Sequence, residues 1–410
     1  AYDPLDPNGK ITVTFDTLQF TDDGYVARVT IQNYYQYRHI DKPGWNLGWI
    51  WTRKEVIWSM SGAFATQQGN CLEFKYKTAH SCKIDPVISD HMPDAQGENR
   101  TENCCNGGVL SSWAINPNKS SSSFEITIGN LNGNSSLFPP PSNLTLISPG
   151  PGYSCGPIVD VKPTVFPEIG GKREVQVYRT WKSTCTYSSF VANKAPTCCV
   201  SFSSFYSPTF TSCPLCSCGC KQADETALVC NSSNVARSEL QCTDHMCPVG
   251  VHWHIKTNYR EHWRVKMTVS NYNLGVNYTD WNVLVQHPGF NKSSLTYSFN
   301  SMLLPTAGFA DDVALFSGIL SYNDKLLQAD QKHVGSVSTE ILMAKDLDQF
   351  TLHNGWAFPR RIYFNGENCE MALPDTFPML PSGNLSCHPS YHLFVLLIVL
   401  HLISQALFQC

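Results

Sequence analysis

The sequence predicts an all-β protein: two tandem β-sandwiches with a disulfide-rich segment between them. Three observations point there. Apolar and polar residues alternate with the period of a strand, as in Ile11-Thr-Val13-Thr-Phe15 and Ala27-Arg-Val29-Thr-Ile31. Gly, Pro and Asn interrupt these runs about every ten residues, the spacing of an immunoglobulin-like sandwich rather than of a helical bundle. One segment also occurs twice. Tyr25-Val-Ala-Arg-Val-Thr-Ile-Gln-Asn-Tyr34 matches Trp263-Arg-Val-Lys-Met-Thr-Val-Ser-Asn-Tyr272, and Trp45-Asn-Leu47 then answers Trp281-Asn-Val283. Two copies of one sandwich unit are the simplest account.

Taken in order, residues 1–150 form the first sandwich. Residues 151–247 begin within Pro149-Gly-Pro-Gly152, which is too rich in Pro and Gly for central strands. They continue into a cysteine-dense stretch from Cys185 to Cys247 with little apolar periodicity, expected to hold its shape by disulfides. Residues 248–380 form the second sandwich, and residues 381–410 a terminal signal. Only short pieces such as 324–329 admit a helix.

The chain has 410 residues, room for two or three domains, and a formal charge of -4 with 15% charged and 12% aromatic residues. No basic stripe marks a nucleic-acid binder, and many Tyr and Trp suit an uncharged partner. The 18 cysteines indicate an oxidising compartment. Glycosylation sequons at Asn99, Asn118, Asn134, Asn143, Asn231, Asn277, Asn291 and Asn384 agree with secretion. A chain opening on Ala1 rather than Met is expected to have lost a secretory leader.

The tail Leu393–Phe408 is apolar and about one short bilayer span long. No Lys or Arg follows Arg361, so the basic stop of a transmembrane helix is missing. Small residues Ser382, Gly383 and Asn384 followed by a polar spacer have the layout of a glycosylphosphatidylinositol (GPI) signal. Cleavage between 382 and 386 would remove Cys387 and Cys410 and leave an even 16 cysteines, which favours Asn384 as the attachment site, with Ser382 the alternative. The expected location is the outer face of the plasma membrane.

The main binding candidates are aromatic: Tyr34, Tyr35, Tyr37, Trp45, Trp49, Trp51 and Trp58. On one strand Trp45, Trp49 and Trp51 share a face, with Trp49 and Trp51 about 6.6 Å apart and Trp45 about 13 Å from Trp49. Such a strip would stack on sugar rings, and the tyrosines would lie in an exposed polar loop. Core filling is the alternative for each tryptophan. Cys213, Cys216, Cys218 and Cys220 have zinc-ligand spacing, although disulfides are the stronger expectation in a secreted chain. His252 and His254 could share a strand face, and a structural role is preferred to metal binding. No metal or cofactor is therefore expected. Enzyme motifs such as G-x-S-x-G and H-E-x-x-H are missing, so no catalytic residue is assigned.

Several strings resemble the COBRA-like family of plant cell-wall proteins. They are Asp3-Pro-Leu-Asp-Pro-Asn-Gly-Lys-Ile11, Lys42-Pro-Gly-Trp-Asn-Leu-Gly-Trp49, Glu55-Val-Ile-Trp-Ser-Met60 and the CCVS box Cys198-Cys-Val-Ser201. Cys216-Ser-Cys-Gly-Cys220, His245-Met-Cys-Pro248 and Gly355-Trp-Ala-Phe-Pro-Arg-Arg-Ile-Tyr-Phe-Asn365 complete the set. The resemblance implies a GPI anchor and an N-terminal sandwich similar to a carbohydrate-binding module. It further implies cellulose or a related β-glucan as ligand, a part in cellulose deposition and microfibril assembly, and no catalysis. The alternatives are a wall-remodelling hydrolase or transglycosylase, and an adaptor that binds protein through the cysteine-rich segment.

Overall fold

The computed structural model describes residues 3, 5–74, 77–131, 138–167, 174–192, 197–211, 248–291, 294–305, 312–330, 333–345, 357–378 and 380. The Cys213–Cys220 motif, the 381–410 tail with Ser382 and Asn384, and the sequons Asn134 and Asn231 lie outside them. Asn99, Asn118, Asn143 and Asn277 are exposed.

The chain forms two β-sandwiches. The large sheet of the first runs Val159–Val161, Arg179–Tyr187, Ile11–Phe20, Tyr25–Asn33, Ser121–Gly129, Val56–Ser61, and Tyr153–Cys155 also pairs with Arg179–Tyr187. Its small sheet runs Ala63–Ala65, Val87–Asp90, Asn46–Ile50, Ser142–Ile147. The inward set of the alternating strands, including Val13, Phe15, Val29 and Ile31, packs on Leu47, Ile88 and Leu146 from the small sheet. Each fully buried side chain of this kind contributes about 1.5–3 kcal/mol.

The second sandwich repeats this plan. Its large sheet runs Ser207–Thr211, Cys198–Ser204, Val249–Asn258, His262–Asn271, Gly335–Ala344, Leu295–Thr296. Its small sheet runs Asn300–Leu303, Val313–Ser317, Asn282–Gln286, Arg361–Phe364, Glu367–Asn368. The duplicated strands occupy equivalent places, and the shared asparagine explains why the repeat was visible. Asn33 donates to the carbonyls of Arg38 and Ser111 and accepts from the Tyr35 N–H. Asn271 donates to the carbonyls of Val276 and Leu326 and accepts from the Asn273 N–H. In both copies the residue is buried and satisfies the backbone of the corner leaving the strand.

Two expectations need correction. The first sandwich does not end at 150, because Arg179–Tyr187 pairs with Ile11–Phe20 from Ile11↔Cys185 to Thr17↔Arg179. Cys155–Cys185 ties that strand to its neighbour. Cys198–Ser204 belongs to the second sandwich, lying parallel to Val249–Asn258. Much of 151–211 is therefore sheet packed on the two cores rather than a separate disulfide-held piece. Pro and Cys obscured its alternation, in which Trp181, Ser183 and Cys185 point inward. Residues 324–329 hold the strand Lys325–Leu326, paired with Tyr278–Thr279, and no helix.

Candidate functional site

The three tryptophans of the anticipated strip are core residues. Trp45 stacks on Phe124 at 5.9 Å between ring centroids, and Trp49 meets Phe15 and Trp51 edge-on, each at 5.4 Å. All three are buried. They do share a face, as the alternation required, but it is the inward one. Trp58 is half-buried, edge-on to Phe74 at 5.2 Å, with the Lys77 ammonium 4.3 Å above its ring.

The tyrosine segment is also mostly buried, as a clamp between the sandwiches. Tyr35 is buried, and its hydroxyl accepts the Tyr187 N–H at 2.7 Å. Tyr37, 1% exposed, donates its hydroxyl to Asp3 at 2.6 Å and sets its ring edge-on to Tyr363 of the second sandwich. It joins an apolar cluster with Leu5, Leu284, Leu304, Val313 and Leu315. Next to it, Arg38 pairs with Glu367 at 2.9 Å and donates to the Gly366 carbonyl. The guanidinium lies 3.6 Å from the centroid of the Tyr187 ring. Burial pushes the Asp6 carboxyl, which accepts the Gln36 N–H, up to about 6. Burial also pushes the His39 imidazole down to about 4, beside Ser112. Of the seven predicted aromatics only Tyr34 stays exposed, at 37%, leaning on Trp113 at 5.4 Å.

The open apolar surface of the first sandwich lies elsewhere, on the outer face of its small sheet. Register aligns Phe64, Ser89, Asn46 and Ile147 in one row, and Val87, Gly48 and Thr145 in the next. With strands about 4.8 Å apart the first row spans roughly 14 Å. Phe64, Val87, Ile147 and Ile50 are exposed large hydrophobics, and Phe64 has His91 5.2 Å away. Ser89 donates to Asn46 at 2.5 Å, leaving polar groups between the apolar ones. Gly48 keeps the centre flat, since a Cβ there would sit 2.7 Å from the Thr145 hydroxyl. Asp90 steadies one edge by accepting the N–H groups of Cys105, Asn106 and Gly108. The repeat gives this face a contrast. Gly48 corresponds to Leu284, which is fully buried against the tyrosine clamp. The same face is thus covered in one copy and open in the other. Strands apolar at both phases, Val87-Ile88 and Leu146-Ile147, were the sequence signal for it.

The CCVS box is structural in its first three residues. Cys198 bonds to Cys369, Cys199 is also disulfide-bonded, and Val200 is core. Ser201 faces out and bonds the His252 Nδ1 at 2.7 Å, while Ser203 bridges His252 Nε2 at 2.8 Å and His254 Nδ1 at 2.7 Å. Burial, then His254 and Lys266, push His252 down to about 4. Among the described residues no three His, Cys, Asp or Glu converge to hold a metal, and no helix is long and apolar enough to cross a membrane.

Together these features define a class: a two-sandwich, disulfide-stapled protein with a clamped domain interface and an open apolar sheet face on the first sandwich. Its first unit matches the COBRA N-terminal domain over residues 25–188, and residues 224–378 match the COBRA family C-terminal domain. COBRA-like protein 1 of Oryza sativa subsp. japonica is 48% identical over 396 residues, covering 94% of this chain and 88% of that protein. Protein COBRA of Arabidopsis thaliana is 46% identical over 414 residues, covering 97% and 90%. The chain belongs to the COBRA family.

Proposed function

We propose that this protein is a non-enzymatic, GPI-anchored cellulose-binding protein at the outer face of the plasma membrane. There it would modulate cellulose deposition and microfibril assembly in the cell wall. The observation that carries this reading is the open face of the first sandwich's small sheet. A contiguous exposed apolar patch calls for a partner. This one is flat, uncharged and interleaved with Asn46, Ser89 and Thr145, so it can take both the C–H face and the hydroxyl edge of a pyranose chain. The ligand assigned from the aromatic strip is kept, and its place moves from Trp45, Trp49 and Trp51 to Phe64, Val87 and Ile147, with exposed Tyr34 leaning on half-buried Trp113 as a second contact. The anchor rests on the 393–408 tail and its small-residue attachment region.

The test is a pull-down of the full chain on crystalline cellulose. Changing Phe64, Val87 and Ile147 together to Ser should reduce adsorption at least tenfold while the melting temperature holds. Full adsorption by that variant would remove the face from consideration. Release of the protein from membranes by a phosphoinositide-specific phospholipase tests the anchor separately.

A further inference from the structure

The second sandwich has an open face of its own, on the opposite side from the clamp. Two adjoining shallow grooves lie on the outer face of its large sheet. One, of about 440 Å³, has Tyr259, Arg260, Glu261, His262, Arg264 and Tyr297 in its lining. The other, of about 360 Å³, is lined by Lys266, Tyr297, Ser298, Ser338, Thr339 and Glu340. They meet at Tyr297, which is 56% exposed.

We propose that this face binds an acidic polysaccharide, taking carboxylates of the polymer on Lys266, Arg264 and Arg260 and a sugar ring on Tyr297. Charge is the first reason. Among the described residues of this face, Lys256, Arg260, Arg264 and Lys266 stand against Glu261 and Glu340, on a chain whose formal net charge is -4. Lys256 and Arg264 both pair with Glu340, and Lys266, directly opposite Glu340 in register, is in no ion pair among the described residues. The face therefore keeps an excess of positive charge that an anion would complement.

Comparison between the two copies is the second reason. Arg28 and Glu125 of the first sandwich occupy the places of Lys266 and Glu340, and they pair with each other at 2.9 Å. There the Phe166 ring, from the hairpin Val165–Pro167 with Glu174–Gln176, lies 5.4 Å from the Arg28 guanidinium. The equivalent place in the second sandwich holds the two grooves.

The chemistry of the lining selects a sugar polymer over an anionic lipid surface. Ser298 and Ser338 offer hydroxyls, and the Glu340 carboxylate accepts hydrogen bonds from sugar hydroxyls but would repel a sheet of phosphates. Tyr259 and Tyr297, both exposed, present rings for stacking in the larger groove.

The experiment is affinity electrophoresis of the full chain through gels containing polygalacturonate, its methyl-esterified form, or neutral β-glucan. Retardation by polygalacturonate and much less by the ester is expected. Lys266→Glu and Tyr297→Ala should each weaken it about tenfold, the loss of one charged or stacking contact. Lys266→Arg should retain binding, and adsorption to neutral glucan should stay at the parent level in every variant. Absence of retardation would overturn the proposal, as would equal retardation of parent, Lys266→Glu and Tyr297→Ala. Binding to phosphatidylserine vesicles that depends on Lys266, with none to polygalacturonate, would reassign the face to membrane contact. Failure of this face leaves cellulose binding through Phe64 untouched, and the reverse also holds.

Discussion

Replacing Tyr37 by Ala separates the clamp from a binding role. The ring is buried among Leu5, Leu284 and Leu315, so truncation costs about 3–5 kcal/mol for an aromatic in a core. Loss of the hydroxyl bond to Asp3 is included in that range, and Tyr37→Phe isolates it at about 1.5 kcal/mol. For a unit of this size each kcal/mol shifts the melting temperature by about 2–4 °C. Tyr37→Ala should therefore lower the melting of the second sandwich by roughly 6–20 °C and uncouple it from the first. Scanning calorimetry of the purified chain would show one broad endotherm splitting into two. A melting temperature within about 2 °C of the parent, with cellulose adsorption lost, would refute the assignment and return Tyr37 to the ligand.

Trp49→Ala should behave as a core truncation, losing about 3–5 kcal/mol in denaturant unfolding while the folded fraction still adsorbs to cellulose. Stability should depend on pH with opposing slopes. His39 is neutral in the fold, so its contribution is complete above about 6.5 and is lost as pH falls toward about 4. His39→Gln should flatten the acid limb by up to about 3 kcal/mol, measured by melting at stepped pH. The raised Asp6 carboxyl acts in reverse, its contribution being complete below about 3.8 and lost as pH rises through about 6. Asp6→Asn should then stabilise the chain at pH 7 and change little at pH 4. The Cys198–Cys369 bond closes a loop with a sequence separation of 171, and Cys198→Ser with Cys369→Ser should cost about 5 kcal/mol in the chain-entropy account. That loss should fall on the second sandwich alone, read from its denaturant midpoint.

Fold class and duplication were legible because they rest on local pattern. The strands Tyr25–Asn33 and His262–Asn271 alternate cleanly, and Asn33 and Asn271 recur because each corner needs the same side-chain amide. The site was less legible because an inward and an outward tryptophan look alike in sequence. Trp45, Trp49 and Trp51 do share a face, and only the packing of Phe15 and Phe124 shows which. The tyrosines misled for a related reason: a polar loop with Arg38 and His39 reads as solvated until a second unit is seen against it. The outward role of Phe64 and Val87 depends on pairing between strands more than twenty residues apart, and the boundary at Tyr187 on pairing with the first strand of the chain.

The Cys198–Cys369 bond has a mechanical consequence. Cys198 opens the first strand after the inter-sandwich connection, and Cys369 lies close to the end of the last sheet. A pull between the first sandwich and the C-terminal end would therefore run through sulfur and bypass the residues between these two cysteines. The second sandwich hangs beside that load path as a closed loop and does not bear the tension in series. If the chain is held at one end by lipid and at the other by a wall polymer, the groove face carrying Tyr297 keeps its shape while the line is taut.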